Sequence, residues 1–408
     1  MAPELTIAEN IESPGGGAES ASRPHWLAKT RIIAAVVFLL ALFIPLIGTF
    51  FHWDPVPSTE NRQMARAPVA PHKFRDYTHF SEVFLAYFRD HFGFRNTMIR
   101  GLSVAKFHGG MAFDQGTNII LGKDGWLFYP KKPGTFLADR NLDPFTDADL
   151  DAWQRLLERR FAFCADHGIK MIVVIPPDKQ SIYPEMLPED FARVGKQTRL
   201  DQLLDRLHKT NSPVQPIDLR ATLLDAKKYH RLYFKTDTHW DDYGAYAAYP
   251  MILDAVNRAL PWAHLAPQPM SDFTPASSVR SGDLAFFINL HYEYHEDWPQ
   301  LIHTPPFPQI RDPSNPFAPV ITTGSNPHAP SMYMIHDSYT LYLAQFLGPH
   351  FSRVCWEWTY RMNDARVLNF KPDLLMDEFL ERTLHSPIPV DNSTAPVDMQ
   401  ENLAEPAR

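Results

Sequence analysis

The chain has 408 residues, 45% hydrophobic and 21% charged, a composition that excludes wholesale disorder and leaves room for one large or two ordinary domains. Its 39 basic and 47 acidic side chains give a net charge of −8 with no basic run, which argues against a nucleic-acid partner. Proline is over-used, at 37 residues or about 9% against a usual level of about 5%, so long irregular connections are expected.

The first 25 or so residues are rich in Gly, Ala, Ser and Glu, and the segment 1–31 reads as a disordered tail. Residues 32–51 then run without a charge, long enough at 1.5 Å each to cross a hydrocarbon core of about 30 Å. Trp26 and Trp53 flank this run, as indole rings do at a membrane interface, and Pro45 is tolerated in a membrane helix. A cleaved signal peptide has a shorter apolar region ending in small residues, whereas this one ends in Gly-Thr-Phe-Phe-His. The run is therefore read as an uncleaved transmembrane anchor. Arg23, Lys29 and Arg31 precede it, and no Lys or Arg follows until Arg62, which sets the N-terminus in the cytoplasm and the rest in the periplasm.

Residues 52–75 are polar and Pro-rich, a linker. Tyr77, Phe80, Phe84 and Phe88 recur at helical spacing up to Gly93, and Met98, Leu102 and Ala105 mark a second short helix. Residues 118–129 read as two short strands around a Lys-Asp-Gly turn. Helix and strand then alternate. Leu150, Trp153, Leu157, Phe161 and Cys164 form one helical face, and 171–175 is a continuous apolar strand ended by Pro176-Pro177. Leu200, Leu203, Leu204 and Leu207 make the next helix, 214–219 a strand, and 243–257 a helix that buries Ala245, Ala248, Ile252 and Val256. After nine prolines between Pro299 and Pro330 come a strand at 332–335, a helix at 339–347 capped by Gly348, and a strand at 353–358. The polar tail 386–408 reads as disordered. This order predicts the α/β class, with a mainly parallel sheet and helices on both faces, over 76–385. Cys164 and Cys355 are either one bridge in an oxidising compartment or two small buried hydrophobes.

In such folds ligands bind at the carboxyl ends of the strands. One segment there is Lys235-Thr-Asp-Thr-His-Trp240, in which Asp237 and His239 leave the same face of an extended backbone. An acid beside an imidazole fixes its tautomer and stabilises the imidazolium. The other is Met334-Ile-His-Asp-Ser-Tyr339, where Ser338 follows a buried strand and opens a helix whose N–H groups face an oxyanion. Either segment alone has a plainer reading: a surface or core histidine, and a Ser338 or Asp337 that caps the helix. A metal site is weighed at His291 and His295, spaced i, i+4 beside Glu293, Glu296, Asp297 and His303. That stretch has no apolar period, and it reads as a solvated polar loop with no metal.

Taken with their flanks, these segments resemble the AlgJ/AlgX type of alginate O-acetyltransferase, a branch of the SGNH hydrolase-like superfamily. The resemblance runs from about residue 60 to residue 384. Its stretches begin with Glu60-Asn-Arg62, Arg89-Asp-His-Phe-Gly-Phe-Arg95, Gly122-Lys-Asp-Gly-Trp-Leu-Phe128 and Pro176-Pro-Asp-Lys179 with Tyr183-Pro184. They continue through Thr236-Asp-Thr-His-Trp240, Gly282-Asp-Leu284, His336-Asp-Ser-Tyr339 and Pro372-Asp373. The resemblance implies an SGNH hydrolase-like three-layer sandwich. It casts Ser338 as an acetyl-accepting nucleophile, His239 as its base and Asp237 as the residue orienting His239, with the Ser338 backbone N–H in the oxyanion hole. Lys179, Tyr183, Trp240 and Asp337 are its further candidates for oxyanion or substrate contact. His336 stands where related enzymes often have Gly. No cofactor is implied. The implied partners are a polysaccharide acceptor, the inner membrane and a membrane-bound protein that donates acetyl groups. A polysaccharide acetylesterase and a non-catalytic polysaccharide assembly protein are the alternatives.

Overall fold

A computed structural model describes residues 25–51, 53–54, 64–70, 76–109, 119–132, 136–315 and 317–393. The tail 1–24, most of the linker 52–75 and residues 394–408 lie outside the described residues. The chain divides into two compact units, Met1–Val56 with Met64–Thr97, and Pro57–Gln63 with Met98–Arg408. Helix α1 (His25–Phe51) contains a stretch, Thr30–Phe51, long and apolar enough to cross a membrane. It is followed by α2 (Asp76–His91) and α3 (Arg95–His108), both at the spacing read from the sequence.

In the second unit a small hairpin of β1 (Ile120–Leu121) and β2 (Leu127–Phe128) encloses a turn at Lys123–Gly125. The elements α4 (Asp147–Asp166), β3 (Lys170–Ile175), α5 (Lys179–Ile182), α6 (Arg199–Lys209), β4 (Ile217–Asp218), α7 (Arg220–Ala226) and α8 (Asp242–Ala259) follow. After them come β5 (Thr274–Arg280), α9 (Asp283–Phe287), β6 (Glu296–Ile302), β7 (Val320–Thr323) and β8 (Ser331–His336). The last elements are α10 (Thr340–Leu347), β9 (Arg353–Trp358), α11 (Asp364–Phe370) and β10 (Leu374–Glu378).

Six strands form the main sheet in the order β4-β3-β10-β8-β9-β7, parallel except for β7, which runs antiparallel to β9. Strand alternation sorts the side chains into two cores. Val174, Met332, Met334, Val354, Trp356, Leu374 and Met376 point to the face covered by α7, α8 and α10. Val173 and Ile175 pack with α4 and α6 on the other face. Tyr333, Ile335, Cys355 and Leu375 meet Cys164 of α4 and Val367 of α11. Both cysteines are free and buried in that last cluster, and burial pushes each thiol up to about 12. They act as small hydrophobes.

Several expectations change. The strand at 214–219 is only two residues long, and Gly348 does not end α10 in the left-handed region but opens a short 3-10 turn. The stretch read as a solvated loop contains β6, paired along its whole length with β5. Within the stretch 386–393, expected to be part of a disordered tail, Asp391 forms ion pairs with Arg159 and the buried Arg160. Strand β10 went unread although it lies at the centre of the sheet. Its Asp377 and Glu378 disguise a strand that is buried end to end. Arg160 neutralises Asp377 at 2.6 Å, and Glu378 accepts two hydrogen bonds from the neighbouring turn.

Helix α8 starts at an acid, Asp241, whose side chain accepts the Gly244 N–H at 3.0 Å while its other oxygen has no hydrogen-bond partner. Burial pushes this carboxyl up to about 8, against the Gly244 bond and the charge of Arg231. A folded-state value above the unfolded one means a proton is taken up on folding, so this group's contribution is greatest below about pH 4 and is lost as pH rises to about 8. Asn caps helices as well as Asp does. Asp241→Asn should therefore melt at a temperature that changes less between pH 5 and 8 than the parent's. A calorimetric series at fixed ionic strength reads the difference, and parallel curves would refute it.

Candidate active site

The segment from Phe234 to His239 is irregular yet almost wholly buried. A buried loop must satisfy its own peptide groups, because water cannot. Here buried charged side chains do so. Lys179 donates to the carbonyls of Phe234 at 2.9 Å, Lys235 at 3.1 Å and Asp237 at 2.5 Å. Glu296 accepts the N–H of Lys235 and of Thr236, each at 2.7 Å. Asp283 accepts from the Thr238 N–H at 2.8 Å and its hydroxyl at 2.7 Å. The Tyr339 hydroxyl donates to the Thr238 carbonyl at 2.6 Å, and the first N–H groups of α9 meet the Thr236 carbonyl.

This bracing aligns three side chains. Asp237 Oδ1 lies 2.6 Å from His239 Nδ1 and also accepts the His239 backbone N–H at 3.0 Å. Asp237 Oδ2 accepts the Asp283 N–H at 3.0 Å. His239 Nε2 lies 2.6 Å from Ser338 Oγ, across 99 residues of sequence. Burial opposes ionisation of Asp237, but the charge and hydrogen bonds of His239 and the Asp283 N–H outweigh it and hold the carboxyl well below its usual range. An ionised acid, an imidazole and a hydroxyl linked in this way can pass a proton from the hydroxyl to Nε2 while the acid stabilises the cation.

Ser338 sits in the turn between β8 and α10, and its hydroxyl is engaged with His239 rather than with the helix, so it is not a cap. The turn is clamped from the end of β10. Glu378 accepts the Asp337 N–H and the Thr340 hydroxyl, both at 3.0 Å. Asp337 accepts from Tyr339 N–H at 3.0 Å and Leu380 N–H at 2.9 Å. Burial and the adjoining Asp337 carboxyl push Glu378 well above the usual carboxylate range. His336 turns its ring toward Trp356 and Trp358, and burial lowers it to about 4.

The other residues expected to contact an oxyanion or substrate are each hydrogen-bonded within the protein. Lys179 is spent on the loop carbonyls, and burial lowers its ammonium to about 8. The Tyr183 hydroxyl accepts the Leu232 N–H at 3.0 Å, Trp240 donates to the Tyr339 carbonyl at 3.0 Å, and Asp337 is the clamp just described. Asp283, Glu296, Glu378 and Tyr339 were not assigned these roles from the sequence. Asp283 and Tyr339 stood in quoted stretches without a task, and Glu296 was weighed only as a metal ligand.

His291 does not pair with His295 around a metal. It is buried against Phe286, His295 is exposed, and Glu296 is committed to the loop. Among the described residues the one set of potential ligands close enough for an ion is Asp237, His239 and Asp283. There the 2.6 Å contact from Asp237 to His239 is a hydrogen bond that leaves no gap for an ion between those atoms, and both Asp283 oxygens are taken by Thr238.

Residues 119–314 match the family model described as SGNH hydrolase-like domain, acetyltransferase AlgX. The match includes Asp237, His239 and Asp283, and it ends before Ser338. The chain is 25% identical over 191 residues to the probable alginate O-acetylase AlgJ of Pseudomonas aeruginosa, covering 45% of this chain and 44% of that protein. It is 26% identical over 188 residues to AlgJ of Pseudomonas putida, covering 44% of each. The chain thus spans less than half the length of these curated relatives. Among solved structures, the O-acetyltransferase domain of Pseudomonas putida AlgJ matches 69% of this chain and 96% of its own, with 21% identity and a TM-score of 0.46. Pseudomonas aeruginosa AlgX matches 64% and 61%, with 15% identity and a TM-score of 0.43. Residues 119–314 of the mixed α/β unit are thus similar to SGNH hydrolase-like domains of the AlgJ/AlgX kind.

The close approach of Gly282 to the loop gives a test. A Cβ there would come within 2.4 Å of the Asp237 Cβ and 2.6 Å of the Asp237 nitrogen, so the acid would have to move. Gly101, in α3, has nothing within 4 Å of the same atom. Gly282→Ala should reduce acetyl-ester turnover by at least about tenfold, the loss expected from misplacing a positioned group. Gly101→Ala should leave turnover unchanged and, as an exposed helix-interior change, stabilise by up to about 1 kcal/mol. Turnover and circular dichroism measured side by side test the pair, and equal turnover in both variants would sink the expectation.

Proposed function

We propose that this chain is a membrane-anchored O-acetyltransferase that moves acetyl groups onto hydroxyls of an exported polysaccharide through Ser338, His239 and Asp237. The observation that carries the reading is the unbroken hydrogen-bonded series from Asp237 through His239 to Ser338, all three side chains buried at the end of a parallel sheet. Ser338 Oγ attacks the acetyl carbonyl as its proton passes to His239 Nε2. Asp237 holds the Nδ1–H and stabilises the imidazolium. The oxyanion is drawn to the Ser338 backbone N–H at the start of α10. The tetrahedral adduct collapses, His239 returns its proton to the departing group, and acetyl-Ser338 remains. A sugar hydroxyl then attacks that ester with His239 as base, and the serine is released.

Water could resolve the same acyl-enzyme, so the hydrogen bonds alone serve an esterase equally well. Transfer is supported by the alginate O-acetylases the sequence resembles and by α1, which suits an enzyme attached to an export complex in the inner membrane. With the basic residues Arg23, Lys29 and Arg31 on the cytoplasmic side, the second unit faces the periplasm. Acetyl-CoA is cytoplasmic, so a membrane partner must deliver the acetyl group. Deleting the gene should lower ester-linked acetate on the exported polysaccharide, whereas loss of an esterase would raise it or leave it unchanged.

The triad reading has its own test. Ser338→Ala should lose roughly three or more orders of magnitude of acetyl release, His239→Ala a similar amount, and the double variant little more, because the groups act as a unit. Additive losses would show independent roles. Activity should survive EDTA.

A further inference from the structure

Helix α2 carries a row of rings that the described chain leaves uncovered. Phe80, Phe84, Phe88 and, just past the helix end, Phe92 stack at centroid spacings of 6.0, 6.3 and 6.1 Å. Phe84, Leu85 and Phe88 remain 45%, 50% and 37% exposed. The polar edge of the helix, by contrast, is used: Asp90 accepts the Ala65 N–H at 2.7 Å.

The end of α2 is clasped to the end of α1. Gly93 lies so close to Gly48 that a Cβ on it would come within 2.3 Å of the Gly48 backbone. The Gly93 N–H donates to Thr49 Oγ1 at 2.8 Å, and Phe94 N–H donates to the Trp53 carbonyl at 3.2 Å. Asp54 accepts from Asn96 N–H at 2.6 Å and Thr97 Oγ1 at 2.7 Å. Upstream of this clasp, residues 30–44 of α1 are all exposed. Helix α2 therefore does not run back along the apolar span, but leaves from its C-terminal end.

We propose that α2 is an interfacial helix, with its Phe80-Phe84-Phe88 row seated in the lipid–water boundary of the membrane that α1 crosses. The proposal rests on the reading of α1 as a membrane anchor. The argument for lipid is continuity: the clasp holds one end of the phenylalanine row at the level where the span ends, the depth at which an interfacial helix buries a face of Phe and Leu. At 16 residues α2 is about 24 Å long, too short to span, and Glu82, Arg89 and Asp90 interrupt any such path. A helix with one apolar and one charged edge lies in the interface plane instead. The chain would then be attached at two places rather than one.

The test uses the full chain in vesicles of phosphatidylethanolamine and phosphatidylglycerol. Single nitroxides are attached through Phe84→Cys, Phe88→Cys, Glu82→Cys and Leu40→Cys, with unsubstituted protein reporting any labelling of the buried Cys164 and Cys355. Collision with dissolved oxygen is compared with collision with a water-soluble nickel chelate. Labels at 84 and 88 should favour oxygen several-fold, and the label at 82, two residues or about 200° round the helix, should favour the chelate. If 84 and 88 behave like 82 while 40 is lipid-exposed, the inference is overturned and the anchor stands. If 40 also meets the chelate, the anchor reading fails and takes this one with it. Dipolar broadening at 84 and 88, with shielding from both reagents, would assign the row to a second copy of the chain and likewise overturn the proposal.

Discussion

The site depends on one constraint: an irregular segment has been buried, and every peptide group in it needs a partner. All six carbonyls from Phe234 to His239 have one, drawn from Lys179, Leu127, α9, Tyr339 and Phe234 itself. An orphaned buried group costs about 1–3 kcal/mol, so six of them would match or exceed the whole stability of an ordinary domain, about 5–15 kcal/mol. The loop is therefore tolerable only as a fully satisfied network, and such a network has one geometry. That geometry sets Asp237 and His239 within 2.6 Å of each other.

The same logic explains why charged residues are buried around the site without touching the reacting atoms. Lys179 offers three N–H donors to three carbonyls, a task a neutral side chain of its shape could not perform. Glu296 and Asp283 are its acceptor counterparts on the N–H side of the loop. Their charges in turn oppose the burial that lowers the Lys179 ammonium. Rigidity here is a consequence of electrostatics rather than of apolar packing.

On the opposite side the turn bearing Ser338 is fixed by the strand beside it. Strand β10 lies between β3 and β8, and its last residue, Glu378, reaches across to the turn that follows β8. Two consecutive acids at the end of a central parallel strand are each given a different solution. Asp377 is ion-paired with Arg160, whereas Glu378, pushed well above the usual range by burial and Asp337, accepts hydrogen bonds from the turn. The turn bearing Ser338 is thereby tied to the most deeply buried part of the sheet.

The sequence by itself determined the elements whose apolar period is strong: α1, α4, α6, α8, β3, β8 and β9 are all legible from residues such as Trp153, Leu203, Ile252 and Met334. It also contained the three residues of the site, as Asp237 with His239 two positions apart and Ser338 directly after a buried strand. That Ser338 faces His239 was implied only by the family resemblance and not by residue pattern, because 99 residues separate them and the contact exists only once β8 and the 234–239 loop reach the same sheet edge. Nor could that pattern reveal β10, β6 or the bracing roles of Lys179, Asp283, Glu296 and Glu378. A buried charge has no pattern of its own in a sequence. It becomes intelligible only through partners such as the Thr238 N–H or the Asp237 carbonyl, which lie tens of residues or more away along the chain and are brought within hydrogen-bond reach by the tertiary fold alone.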